Sequence, residues 1–146
     1  MADTRVQLEI EDWVRRDWMP QHLSQTFHRE RVALSSGGVF DFDAVSADRT
    51  VVATISTSGS LTASGKYAVG KLMKIRSDMY FLLLANVQRR IVILTERDMY
   101  NRCLQEKGSG RVPSSIDFLH AELPEHLQER LRGSRQVASR EVSPTV

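Results

Sequence analysis

Apolar positions recur with a helical period at the start of the chain and with a strand-like period after it. The first apolar residues lie on one helix face: Val6, Ile10, Trp13 and Val14. This pattern predicts a first helix over about residues 4–18, with Pro20 interrupting it. Residues 26–57 contain three short β-rich runs separated by turn residues, which predicts a three-stranded antiparallel meander.

The next segments predict a helix followed by buried strands. After the polar loop SGSLTASGK, a second helix is expected to cross the sheet. The apolar side of that helix is formed by Val69, Leu72, Met73, Met79 and Tyr80. The runs YFLLLAN and RRIVILT are apolar without the polar alternation of a half-exposed sheet, which predicts two central strands.

The last part of the chain predicts one more helix, a short strand and a terminal helix. Thr95 and Asp98 have the spacing of a helix start, the run IDFLHAEL favours a strand, and Pro124 suits the first turn of a last helix. The order helix, three-stranded meander, helix, strands, helix predicts an α/β protein. We expect a single three-layer domain with a mixed β-sheet flanked by helices.

Length and composition favour one compact domain. With 146 residues the chain suits a single core, so we expect the domain over 1–133 and a basic C-terminal tail over 134–146. Apolar runs fall short of the ~20 residues of a membrane span, and the first residues lack a signal-peptide pattern. These features predict a cytoplasmic protein without a membrane partner. The single cysteine, Cys103, excludes an internal disulfide and a cysteine-cluster zinc site, and no cofactor is expected.

The segment GGVFDFDAVSADRTVVATIST forms most of the predicted meander. With the order of elements from about Thr4 to the strand at Ile91, it resembles the PD-(D/E)XK nuclease superfamily, which has the restriction-endonuclease-like fold. In that family an acid lies on the second strand and an acid-x-Lys pair on the third. The resemblance implies that the second-strand acid is Asp41 or Asp43. It also implies that hydroxyls stand at the two third-strand positions, Thr54 and Ser56.

The chemistry of such nucleases explains why these hydroxyls matter. The family's carboxylates hold Mg²⁺, and its lysine orients or activates the attacking water and stabilises charge on the phosphate. Thr54 and Ser56 replace neither role well, although their spacing puts them on one face of a strand. The degenerate motif therefore predicts a pseudoenzyme, a noncatalytic module that binds nucleic acid or a protein partner. Its remnant site consists of Asp41, Asp43, Thr54 and Ser56.

The same residues leave two other functions open. The first is an active Mg-dependent DNA endonuclease whose catalytic residues have migrated. Its lysine is Lys66, and its metal ligands are Asp41, Asp43 and Glu9, with Glu11 as a further choice from the first helix. The second is a structural module that self-assembles into a homo-oligomer. A simpler interpretation of the two aspartates is that they form the solvent-facing half of an alternating strand.

Basic residues of the second predicted helix are the candidate nucleic-acid contacts. Lys66, Lys71 and Lys74 fall on one side of this helix when projected at ~100° per residue. Ammonium groups in such a row can contact phosphates, although most lysine-bearing faces are simply solvated. Arg76 projects instead toward the apolar side, which predicts a packed stem with an outward guanidinium.

Overall fold

The computed structural model describes residues 4–62 and 64–142, with the side chains of 5–62 and 64–134. The described residues begin with a long helix of three parts, which five strands and three further helices follow. The helical parts are α1 (Thr4–Trp13), a π-helical segment (Val14–Trp18), α2 (Met19–Leu23), α3 (Val69–Leu84), α4 (Arg97–Gly108) and α5 (Glu125–Val142). The strands are β1 (Phe27–Ala33), β2 (Val39–Ser46), β3 (Val51–Ser56), β4 (Arg89–Leu94) and β5 (Ile116–His120).

The five strands form one mixed sheet in the order β1-β2-β3-β4-β5. β1, β2 and β3 pair antiparallel, and β3, β4 and β5 pair parallel across α3 and α4. One core cluster joins the sheet to α1, α2 and α5 and includes Ile10, Met19, Ile91 and Leu127. A second cluster packs α3 and α4 against the sheet and includes Phe42, Ile75, Leu82 and Met99. The predicted α/β architecture, a mixed sheet flanked by helices, is confirmed.

β2 contains a bulge that changes the direction of its side chains. Its register with β1 moves from His28↔Val45 to Glu30↔Phe42, so β2 has one more residue than β1 over this stretch. Phe42 and Val45 therefore pack in the same core cluster, although they are three residues apart. Asp43 lies at this bulge, where regular alternation no longer fixes the direction of its side chain.

The first helix continues past Pro20 to Leu23, so the predicted end near residue 18 is too early. The main-chain N–H of Met19 bonds to the carbonyl oxygen of Val14, five residues back, which is the wider turn of a π-helix. A proline inside an α-helix lacks an N–H, and its ring clashes with the carbonyl group four residues before it. The π turn widens the helix just before Pro20, and the helix can therefore extend beyond it.

The run YFLLLAN forms the end of α3 rather than a strand, so this prediction is wrong. Short apolar runs are ambiguous between a buried helix and a strand. In the helix, Leu82 is fully buried whereas Leu83 is 41% exposed. The run RRIVILT is confirmed as β4, a central strand between β3 and β5.

The side of α3 that packs against the sheet differs from the predicted one. Its buried residues are Ile75, Asp78, Met79 and Leu82. Val69, Met73 and Tyr80, which the sequence pattern assigns to the core side, are exposed. α3 is therefore rotated about its axis relative to the prediction, and it carries apolar residues on two sides.

The C-terminal elements match the predicted strand and helix but differ at their ends. β5 falls within IDFLHAEL, and α5 begins just after Pro124. Thr95 donates its hydroxyl to the main chain at the end of β3 (3.4 Å) instead of capping α4. The main chain of α5 continues past the predicted boundary at 133 to Val142. The side chains of 135–146, which make up nearly all of the predicted basic tail, lie outside the described ones.

Candidate functional site

A cleft of about 690 Å³ opens at the carboxyl end of β3, between α1 and the first turns of α3. Ser56 at the end of β3 and the loop after it contribute hydroxyl groups to the cleft. Five charged side chains also line it: Glu11, Asp43, Lys71, Lys74 and Asp78. The carboxyl ends of strands are a usual place for ligand sites in α/β proteins. The cleft is therefore the candidate functional site.

Asp43 lies where the ladder between β2 and β3 ends. The ladder extends to Ala44 of β2 and Ala53 of β3. Beyond that pair, the main-chain N–H of Ile55 donates to Asp43 Oδ2 at 2.8 Å. A carboxylate oxygen of β2 thus takes the place of a main-chain acceptor. The buried Arg15 donates from Nε to the Asp43 main-chain oxygen at 2.7 Å. A strand and the first helix together fix the Asp43 carboxylate at the cleft.

Thr54 and Ser56 have different environments although they share one face of β3. Thr54 is 3% exposed, and its Oγ1 atom has no hydrogen-bond partner among the described residues. Leaving a buried hydroxyl unsatisfied costs about 1–3 kcal/mol, so position 54 contributes packing rather than a polar contact. Ser56 is half-buried and lines the cleft. Of the two third-strand positions in the nuclease resemblance, Ser56 is the one that opens into the cleft.

Besides the buried Thr54, three predicted site residues do not line the cleft. Asp41 is exposed on β2 and forms an ion pair with Arg31 of β1 at 3.3 Å. Glu9 pairs with Arg130 of α5. Lys66 is exposed in the turn before α3, not on the helix as the projection assumed. The predicted residues that the cleft does bring together are Asp43, Ser56, Lys71 and Lys74.

Glu11 and Asp78 add two carboxylates to the cleft. The sequence offers Glu11 as a further candidate metal ligand, whereas it does not predict Asp78 as a site residue. The pKa of Glu11 is raised, first by burial and then by the negative charge of Asp43. Burial likewise raises the pKa of Asp78, although the ammonium of Lys74, 2.6 Å away, opposes this shift. Lys74 and Asp78 have the i, i+4 spacing of a helical ion pair, which is the sequence signal that indicates Asp78.

Removing the charge of Glu11 should stabilise the fold near neutral pH but not in acid. The raised pKa means that the folded chain binds this proton more tightly than the unfolded chain does. Stability therefore falls as pH rises from the ordinary carboxyl pKa of 4.5 through the raised folded value. Glu11→Gln should raise the urea midpoint near neutral pH, and the gain should vanish below the ordinary carboxyl pKa. Asp17→Asn, at an exposed carboxyl of the π-helical segment, is the control, and an equal gain there would contradict the assignment.

The three carboxylates of the cleft do not form one cluster of metal ligands. Among the described residues, no group of three or more His, Cys, Asp and Glu side chains is placed to hold a metal ion. One oxygen of Asp43 is engaged by the N–H of Ile55, and Asp78 is engaged by Lys74. Of the ligands that the nuclease resemblance implies, Asp41, Asp43 and Glu9, only Asp43 lines the cleft.

The chemistry of the cleft has to be derived from its own groups. Comparisons with protein-family models, with curated proteins and with solved structures find no match to this chain. None of the described helices is long and apolar enough to cross a membrane. The cleft combines two lysine ammoniums, three carboxylates and several hydroxyls. Such a set favours a polar ligand that carries charge over an apolar one.

Proposed function

We propose that this chain is a nuclease-like α/β module with an eroded catalytic site, which binds a nucleic-acid backbone at its cleft without cleaving it. One observation carries the proposal: Asp43 and Ser56 line the same cleft, whereas Thr54, at the acid position of the resemblance, is buried. The order of helix, antiparallel meander, helix and parallel strands also supports it.

The third-strand side chains support the loss of catalysis. In the resemblance, position 54 supplies an acid and position 56 supplies a lysine. Loss of a general base or of a charge partner in the transition state typically costs roughly 10²-fold each. Ser56 brings no positive charge to the cleft, and Thr54 does not line it. A cleft that lacks both groups would still bind a phosphodiester, but its rate of hydrolysis would be very low.

Lys71 and Lys74 are the groups that would contact phosphates. Both side chains are exposed and line the cleft from α3. The Nζ atom of Lys74 also donates to Asp78 at 2.6 Å, which holds the ammonium in place and balances one carboxylate. Lysine contacts to phosphates carry no sequence information and weaken with salt. The proposed ligand is therefore recognised through its backbone rather than through its bases.

The double variant Lys71→Ala/Lys74→Ala should weaken the binding of fluorescent DNA and reduce its salt dependence. Each lost phosphate contact removes about 0.7–0.9 from the slope of log K against log salt, so the slope should fall by roughly one to two. Fluorescence anisotropy across a salt series measures this. Arg16→Ala/Arg31→Ala removes the same charge from exposed positions outside the cleft and should keep the slope. An equal loss in both variants would refute the cleft as the binding site.

One observation favours a second candidate function, an active Mg-dependent endonuclease with migrated residues. Three carboxylates and two lysines line a single cleft. In this candidate Glu11 would serve in place of Glu9, and Lys74 would serve in place of Lys66. The carboxylates would have to rearrange to hold an ion together, because they are not so placed in the structure.

A cleavage assay with Mg²⁺ on plasmid, linear duplex and single-stranded DNA separates the two candidates. The noncatalytic proposal expects no cleavage above background. Cleavage that Asp43→Ala abolishes and Asp41→Ala retains would establish the endonuclease instead. Asp41 is a matched control because it has the same side chain, two residues away on the same strand, and lies outside the cleft.

A further inference from the structure

α3 carries an apolar side that faces solvent rather than the sheet. We call it the outer seam, and its members are Val69, Met73, Arg76, Tyr80 and Leu83. The four uncharged members are 61, 44, 61 and 41% exposed, in that order. Scattered exposed apolar residues are ordinary in proteins, whereas a row of them along one helix is typical of a surface that binds a partner.

The spacing of the outer seam indicates the shape of that partner. Successive members are four, three, four and three residues apart, which is the repeat that keeps one stripe of a helix against another helix. Tyrosine, methionine and arginine are also among the residue types enriched at protein interfaces. Lys71 and Lys74 belong to another side of α3, which lines the cleft. Val69, at the start of the seam, also lines the cleft, so a helix laid along the outer seam would border the cleft at that end and leave Lys71 and Lys74 uncovered.

An arginine cluster gives the middle of this surface a positive charge. Glu106 of α4 is 7% exposed and forms ion pairs with Arg76 (3.1 Å), Arg102 (3.4 Å) and Arg111 (3.9 Å). One carboxylate balances one guanidinium, so two positive charges remain in excess, on side chains that are 39, 39 and 70% exposed. Arg102 also lies over the exposed ring of Tyr67, 5.7 Å from its centroid, which extends the surface toward the start of α3.

We propose that the outer seam and the arginine cluster dock an acidic amphipathic helix of a partner protein. The apolar stripe of that helix packs on Met73 and Tyr80. Its carboxylates form charge-assisted hydrogen bonds with the exposed guanidinium groups of Arg76 and Arg102. The excess positive charge in the middle of an apolar seam is the feature that selects an acidic helix.

Two other occupants fit this surface less well. A second copy of this chain would bring the same arginine cluster against itself, because the seam is symmetric about Arg76 with Val69 and Leu83 at its ends. A nucleic acid would match the arginines and the rings of Tyr67 and Tyr80. It would, however, leave the aliphatic Met73 and Leu83 without an apolar partner. The docking surface adjoins the cleft at Tyr67 and Val69, but neither cleft lysine belongs to it.

Two synthetic peptides of about three heptads each test the proposal. Both carry leucine at the apolar a and d positions, and the flanking e and g positions carry glutamate in one peptide and lysine in the other. Each is titrated into the full chain at low salt and followed by fluorescence anisotropy. The glutamate peptide should bind at least roughly tenfold more tightly than the lysine peptide. Equal affinities, or no binding of the glutamate peptide, would overturn the proposal.

Single substitutions test whether the peptide binds at the outer seam and the arginine cluster. Tyr80→Ser should weaken binding of the glutamate peptide, because it removes an anchor of the seam. Arg102→Glu should abolish the preference for glutamate, because it leaves two guanidiniums against two carboxylates in the cluster. Leu8→Ser, at an apolar residue of α1 with 54% exposure, is the matched control and should bind as the wild type does. Unchanged binding by Tyr80→Ser would overturn the proposal.

Sedimentation across a concentration series tests whether a second copy of this chain covers the outer seam. The chain alone should remain a monomer, and a dimer that Tyr80→Ser disrupts would make a second copy the occupant and overturn the proposal. Lys71→Ala/Lys74→Ala should retain peptide binding, whatever its effect on DNA. Failure of the docking surface and failure of the cleft are thus distinguishable. Circular dichroism of each variant confirms that it is folded.

Discussion

Thr54→Glu is expected to lower the free energy of unfolding by roughly 3–5 kcal/mol, because it places an uncompensated carboxylate in the core. Thr54 is 3% exposed and lies on the same face of β3 as Val52, which packs in the cluster of α3 and α4. The hydroxyl now at this position has no hydrogen-bond partner among the described residues. A carboxyl group there either ionises at a large desolvation cost or stays protonated without a partner, and both outcomes destabilise the fold.

Urea unfolding followed by circular dichroism measures this effect, with Ser56→Lys as the control on the same strand. Ser56 lies at the mouth of the cleft, so its replacement should change the free energy of unfolding by less than about 1 kcal/mol. The double variant would restore the two third-strand residues of the nuclease resemblance, and we expect it to unfold readily rather than to cleave DNA. A wild-type midpoint for Thr54→Glu would contradict the burial of this position.

The contrast between Thr54 and Ser56 shows how far alternation in a strand determines a site. The β-branched run predicts β3, and a spacing of two residues places both side chains on one face. Which part of that face is covered depends on where α3 crosses the sheet. That crossing is a tertiary contact, and the local period of the sequence does not encode it. The strand and the common direction of the two side chains were predictable, but the burial of Thr54 was not.

Asp41 and Asp43 show a second limit of the sequence pattern. The run FDFD alternates regularly, and the two apolar residues after it, Ala44 and Val45, also fit a strand that is buried on both faces, so the sequence does not specify a bulge. One extra residue in a strand reverses the direction of the side chains that follow it. The two aspartates therefore have different environments: Asp43, at the bulge, lines the cleft, and Asp41 pairs with Arg31 on the surface.

Burial decides where the first helix ends. The local rule that a proline interrupts a helix predicts an end near residue 18. Met19, just beyond that point, is fully buried in the core cluster. Full burial of such a side chain contributes about 1.5–3 kcal/mol, which favours a helix that continues through the π turn. Core contacts made far along the chain therefore override the local signal at Pro20.

Leu82→Ala should destabilise the fold by about 2–5 kcal/mol, whereas Leu83→Ala should change its stability by less than about 0.5 kcal/mol. Leu82 is fully buried between α3 and the sheet, and its truncation would leave a cavity that the core closes only in part. Leu83 is 41% exposed on the outer seam. Urea unfolding of the two variants measures the difference on adjacent residues with identical side chains.

The same pair separates stability from docking. Leu83→Ala should weaken the binding of the glutamate peptide, because it shortens the apolar stripe. The Leu82→Ala variant should bind the peptide as the wild type does in the absence of urea. A loss of stability in Leu83→Ala as large as that in Leu82→Ala would mean that this side of α3 is covered within the chain. The rotation of α3 relative to the sequence pattern and the docking surface would then both be wrong, since each depends on which side of this helix faces solvent.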